Sequence, residues 1–281
     1  MKFLACSLLL LASALGEPGR KLDAAKEPAL ADWTYRSTGP AGVEPYKPTE
    51  WSKGYPDCGL MRQSPINFAA DIEEVVSPQD YKLEFTQSFC DSSDLSFTSD
   101  YAVWKVDYSG CAKVPSLMWQ GEKYNLLQFH IHAPSEHTIA GAEADACIHM
   151  VHVKAGTDDV LLVVGVLFDV SEYSSNLELE KLWSILGLGQ ATTKAKFTSA
   201  VYDLLPADPS FMHYMGSLTT PPCTQGVTWI VMNEVSTIGK DQLDTYRDSV
   251  ASFPGSKVSE FGNTNRPVQP LNGRPLVYVP A

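Results

Sequence analysis

Residues 160–168 read Val-Leu-Leu-Val-Val-Gly-Val-Leu-Phe, without a polar side chain. The run is far shorter than the roughly 20 residues that cross a bilayer. It suits a central strand of a sheet, one buried on both faces. Other strand signals surround it. Residues 81–85 alternate apolar and polar, residues 103–108 do so in part, and residues 124–132, Ala146–Lys154 and 227–232 are further candidates separated by turn residues. Two stretches read as helices: Leu177–Leu186, after the cap candidates Ser174, Ser175 and Asn176, and residues 241–250. Residues 33–67 are crowded with Pro, Gly and aromatics and predict an irregular segment wrapped over a core. The strands follow one another as in hairpins, so the expected fold is a β-dominated α+β single domain with a few peripheral helices.

The chain has 281 residues, 44% of them hydrophobic, enough for one core and one domain of about 250 residues. Its net charge is -12 at pH 7 and it has no basic run, which argues against nucleic acid or anionic lipid and for a small partner. Residues 1–16 combine Lys2, an apolar stretch and the small-residue pattern Ala14-Leu15-Gly16, the form of a secretory signal peptide cleaved near Gly16. Residues 17–31 suit a linker or short propeptide, leaving 32–281 as the folded domain. No later segment is long and apolar enough to span a membrane, and residues 276–281 lack the tail of a lipid-anchor signal. The expectation is a soluble protein, secreted or extracellular. Cys6 would leave with the signal, and the remaining Cys58, Cys90, Cys111, Cys147 and Cys223 are odd in number. At least one must stay unpaired or pair between chains.

In Gln128-Phe129-His130-Ile131-His132 the two histidines are two apart in a strand pattern and therefore share a face. His149 on the next predicted strand supplies a third imidazole, since antiparallel neighbours lie about 4.8 Å apart. Three such nitrogens can hold a metal and leave a fourth position for water. His152 is three residues on and falls on the opposite face, as a core histidine; His137 and His213 read as structural. No C-x-x-C pair or H-E-x-x-H motif is present, which disfavours a cysteine-built zinc site and a zinc hydrolase of another class.

The sequence resembles the α-class carbonic anhydrase family from Trp33 to Arg274. The matching pieces are Gln63-Ser64-Pro65-Ile66-Asn67, Gln128 to His132, Ser135-Glu136-His137-Thr138, His149-Met150-Val151-His152, Gly216 to Pro222, and Asn265-Arg266-Pro267-Val268-Gln269-Pro270. The resemblance implies a twisted, mostly antiparallel sheet of about ten strands. It implies a Zn2+ ion on His130, His132 and His149, and reversible hydration of carbon dioxide to bicarbonate and a proton by attack of zinc-bound hydroxide. Thr219 would accept the hydroxide proton and donate its own to the Glu136 carboxylate, fixing the direction of attack. Val151, Val163, Leu218, Thr220, Val227 and Trp229 match the substrate pocket, and Gln128 matches a partner of the first zinc histidine. Carbon dioxide, bicarbonate and water are the implied partners, with sulfonamides and small anions as inhibitors. Cys58 and Cys223 match a disulfide of the secreted branch, where it would brace the loop carrying Thr219.

The chain departs from that family at two places. Cys147 stands where a glutamate usually orients the third histidine, which predicts weaker zinc binding unless a backbone carbonyl or water takes over that role. Ala102 aligns with the position of the proton-shuttle histidine, so proton export is expected to rely on buffer, a chain of waters, or a group such as Tyr101. Cys90 and Cys111 flank a predicted hairpin and could pair, leaving Cys147 as the odd thiol. The competing reading is a catalytically weak carbonic-anhydrase-like scaffold or adhesion module. Such relatives typically lose a zinc histidine, whereas this chain keeps all three.

Overall fold

The computed structural model describes residues 32–38, 42, 45–69, 72, 78–91, 95–99, 103–186, 198–252, 256–259 and 262–281. The expected signal peptide (1–16) and linker (17–31) lie outside the described residues. Everything described belongs to one compact unit, residues 31–281.

Its centre is an eleven-strand sheet. In chain order the strands are β1 (Leu83–Thr86), β2 (Ser96–Ser99), β3 (Trp104–Asp107), β4 (Ser116–Trp119), β5 (Glu122–His132) and β6 (Ala146–Lys154). They continue with β7 (Leu161–Ser171), β8 (Phe211–Ser217), β9 (Gln225–Met232), β10 (Ser236–Gly239) and β11 (Val277–Val279). The main path across the sheet runs β11-β8-β9-β7-β6-β5-β3-β2, with β10 on β7, and with β4 joining β5 to β1. Pairing is antiparallel except where β7 meets β9 and β10. The apolar run therefore forms a central strand as expected, and residues 161–168 are all buried.

Alternation along each strand sorts the side chains onto two faces. Phe129 and Ile131 of β5, Ile148 and Met150 of β6, Leu162 and Val164 of β7, and Ile230 and Met232 of β9 build the larger core. Two helices contribute to it, α1 (Leu177–Leu186) through Leu179 and Trp183, and α2 (Lys240–Ser252) through Leu243, Tyr246 and Val250. Asn176 caps α1 as predicted, its Oδ1 accepting the Leu179 N–H at 3.1 Å. The opposite face holds a second core with Cys147, Val151, Val163, Tyr214, Val227, Trp229 and Val231, closed by Ile66 and Phe68. Both faces are thus covered, as a doubly apolar central strand requires.

The irregular segment 33–67 contains one helical turn (Trp51–Gly54) and short 3-10 turns. It is held by aromatic packing, with the rings of Trp33, Tyr35 and Trp51 edge to face at 5.3–5.8 Å. The first predicted strand begins later than its alternation suggests. Residues Pro78–Tyr81 form a 3-10 turn, favoured by proline's fixed φ at a helical first position, and β1 starts only at Leu83.

Candidate active site

β5 carries His130 and His132 on the face away from the larger core, and β6 brings His149 directly opposite His130. The three rings lie 4.8–5.3 Å apart, and one nitrogen of each falls within 4.8 Å of the others. The remaining nitrogens are engaged. His130 Nδ1 lies 2.9 Å from Gln128 Oε1, and His132 Nδ1 lies 2.5 Å from the Thr264 carbonyl oxygen. These oxygens only accept, so both Nδ1 atoms carry a proton and both Nε2 atoms are left to face the site. His149 is turned the other way, with Nε2 3.4 Å from Cys147 Sγ.

His132 Nε2 is buried and has no hydrogen-bond partner. A buried unpaired nitrogen costs free energy unless something electrophilic meets it, and a metal ion coordinated by three neutral imidazoles satisfies that condition. Burial, with the neighbouring histidines, holds His130 and His149 well below the ordinary imidazole pKa. They are neutral rings, the form a metal needs. The three residues fit a metal ion.

Glu136 is buried beneath them. Its Oε1 accepts the Arg266 backbone N–H at 2.8 Å, and its Oε2 lies 3.6 Å from His132 Nε2 and 3.8 Å from His149 Nδ1. Burial raises the carboxyl pKa, opposed by His132, the Thr219 hydroxyl and Arg266. Thr219 is close enough to act on the carboxylate, although Oε2 has no partner at full hydrogen-bond geometry. The Arg266 guanidinium is buried as well and spans Gln63 Oε1, the Ser64 carbonyl and the Cys58 carbonyl at 2.8–3.1 Å.

Thr219 sits in the loop 218–224 between β8 and β9. The loop closes on itself through Leu218 N–H to the Thr224 carbonyl and Cys223 N–H to the Thr220 carbonyl. It is tied to the irregular segment by the Cys58–Cys223 disulfide and by Gln63 Nε2 donating to the Cys223 carbonyl at 3.2 Å. Just before it, β8 runs so close to Ser64 that a Cβ on Gly216 would meet Ser64 Oγ at 2.1 Å, which only glycine avoids.

The pocket candidates Val151, Val163, Val227 and Trp229 lie in the second core, Leu218 packs against it, and Thr220 is half-buried beside Thr219. Trp229 meets His149 edge to face at 4.8 Å while its Nε1 donates to the Ser217 carbonyl at 2.9 Å. The site therefore has an apolar wall continuous with the histidines.

The other histidines are internally bonded. His137 Nε2 is 2.7 Å from Tyr214 Oη, which donates to Ser64 Oγ. His152, on the opposite face, is 2.9 Å from Tyr202 Oη, and His213 Nδ1 is 2.9 Å from the Trp229 carbonyl. Cys90 and Cys111 form a second disulfide, and Cys147 is the free thiol among the described residues. Ala102, with residues 100–101, lies outside the described residues. A separate groove of about 590 Å³, bordered by Leu177, Lys181, Asp203 and Glu234, contains none of the site residues.

Sequence reasoning missed two contributors. The Thr264 carbonyl orients His132 and the Arg266 N–H holds Glu136, and both are backbone groups. Arg266 belongs to the motif 265–270, but a backbone amide has no residue signature of its own.

Residues 46–280 match the family model of eukaryotic-type carbonic anhydrases. A carbonic anhydrase of Klebsiella pneumoniae is 32% identical over 87% of this chain and 90% of its own length. Human carbonic anhydrase 7 is 33% identical over 81% and 92%. The structure of α-carbonic anhydrase from Thermovibrio ammonificans with the inhibitor sulfanilamide superposes with a TM-score of 0.67 at 30% identity, covering 88% of this chain and 99% of that one. With a family match over most of its length and a sheet that superposes on solved members, the chain belongs to the eukaryotic-type, α-class, carbonic anhydrase family, enzymes that hydrate carbon dioxide.

Proposed function

We propose that this protein interconverts carbon dioxide and bicarbonate at a zinc ion held by His130, His132 and His149. The observation that carries the reading is the convergence of three imidazole nitrogens within 4.8 Å, one of them buried and otherwise unpartnered. Bound zinc supplies acidity, lowering the pKa of water to about 7 in carbonic anhydrases, a value known for these enzymes.

The chain's own residues do the rest. Gln128, the Thr264 carbonyl and Cys147 fix the ring orientations and keep the ligating lone pairs turned inward. Thr219 accepts a hydrogen bond from the attacking oxygen and donates its own hydroxyl hydrogen bond to Glu136. The Arg266 N–H fixes Glu136 from behind, so the carboxylate can only receive. Carbon dioxide offers little to hydrogen-bond and is held by the apolar wall of Val151, Val163, Leu218, Val227 and Trp229, with Thr220 at its edge. Proton export then depends on buffer or ordered water, because Ala102 stands at the aligned shuttle position. Sulfonamides should inhibit, as the sulfanilamide complex of the Thermovibrio relative suggests. Residues 1–16 direct the chain into the secretory route, a reading supported by two disulfides.

The test is stopped-flow hydration of carbon dioxide at several buffer concentrations, with zinc measured on the same sample. About one zinc per chain and a maximal rate that climbs with buffer are expected. Full activity in a rigorously metal-stripped preparation would remove zinc from the mechanism.

A further inference from the structure

Strand β3 borders β5 on the side away from β6. Its Trp104 and Val106 point into the larger core with Phe129 and Ile131 of β5. Lys105 and Asp107 alternate with them and are half-buried on the other face, the one that carries the three histidines. Register makes the placement specific: Lys105 is the cross-strand partner of His130, and Asp107 that of Gln128. Side chains of such partners project together from backbones about 5 Å apart.

This ammonium has no ion-pair or hydrogen-bond partner among the described residues. The nearest acid along the strand, Asp107, accepts the Ser109 N–H at 2.7 Å. Glu136 is committed to Arg266 and faces His132 and His149. A half-buried lysine with no partner among the described residues places a positive charge beside a ligand-forming histidine. What it favours is an anion.

The reaction provides one. Carbon dioxide is uncharged, but bicarbonate carries a negative charge and must approach a chain whose net charge is -12. The overall field repels it, so a local cation at the site changes the balance.

We propose that Lys105 is a bicarbonate-binding residue, its ammonium drawing the anion to the site beside His130 and holding its charge there. The proposal rests on the carbonic anhydrase reading of this site and adds an anion-binding group to it. One charge acting across about 7 Å of half-solvated site changes anion affinity roughly three- to tenfold after salt screening.

The experiment compares the zinc-loaded full chain with Lys105→Gln and Lys105→Arg, using thiocyanate as the binding probe in calorimetry and zinc content as the control. In Lys105→Gln, thiocyanate affinity should fall three- to tenfold. Bicarbonate dehydration kcat/KM in mildly acidic solution should fall similarly, and both should lose most of their ionic-strength dependence. Lys105→Arg should keep all of these near the parent values. Unchanged thiocyanate affinity in Lys105→Gln overturns the proposal, as does equal impairment of the Gln and Arg variants, which would mean that packing and not charge was lost. If the unaltered protein turns over neither substrate, the carbonic anhydrase reading fails separately, and calorimetry still decides whether Lys105 binds anions.

Discussion

Cys147 Sγ lies 3.4 Å from His149 Nε2, so the outward nitrogen of this ring meets a buried thiol, whereas those of His130 and His132 meet oxygen acceptors at 2.9 and 2.5 Å. Burial raises the pKa of the thiol far above its ordinary value and keeps it neutral. A neutral sulfur is a weak acceptor and lends the ring little basicity. Cys147→Glu should therefore slow zinc release to a chelator by about 10- to 100-fold. Indistinguishable release rates, in a variant whose melting curve shows it folded, would mean that the thiol costs the site nothing.

Thr219→Ala should keep zinc and lose about 100-fold in kcat, because a positioned hydrogen bond at a reacting oxygen commonly contributes 10²–10³. Glu136→Gln should fall by a comparable factor, since an amide in place of the carboxylate can present its own donor to Thr219. The informative measurement is kcat on samples matched for zinc content. A Thr219→Ala enzyme at the parental rate would exclude the residue from the chemistry.

The Cys58–Cys223 disulfide spans 165 residues and ties the irregular segment to the loop of Thr219. Closing so long a loop is worth about 5 kcal/mol in the chain-entropy model. The double variant Cys58→Ser/Cys223→Ser should lose several kcal/mol in denaturant unfolding, and its kcat should drop further than its zinc content. Peptide mapping without reductant should recover the 58–223 link. Free thiols at both positions would contradict it.

His152 is buried on the far side of β6, and burial pulls its pKa down to about 3. In the unfolded chain an imidazole titrates near about 6.5. Between those values the unfolded state binds a proton that the folded state does not. This contribution to stability is complete above about pH 6.5 and is lost as pH falls toward 3, at up to about 1.4 kcal/mol per unit. His152→Gln, studied metal-free, should flatten the decline of the urea midpoint between pH 6.5 and 4. Parallel declines in parent and variant would assign the acid sensitivity elsewhere.

Much of this was legible in the residue pattern because it depends on period. Apolar residues 160–168 suited a strand covered on both sides, and in a strand His130 and His132 share a face. His152 had to fall opposite His149 because the two are an odd number of residues apart along a strand. The resemblance to carbonic anhydrases added the pairing of Cys58 with Cys223 and the grouping of Thr219 with Glu136. The tertiary structure decided what no local pattern encodes. The Thr264 carbonyl reaches His132 and the Arg266 N–H reaches Glu136 across 132 and 130 residues of chain, and every residue except proline offers the same backbone groups. Whether Cys90 pairs with Cys111 was open in the sequence, and the structure joins them. The position of Lys105 against His130 is a matter of register between strands, and that register is set by which faces find a core to bury.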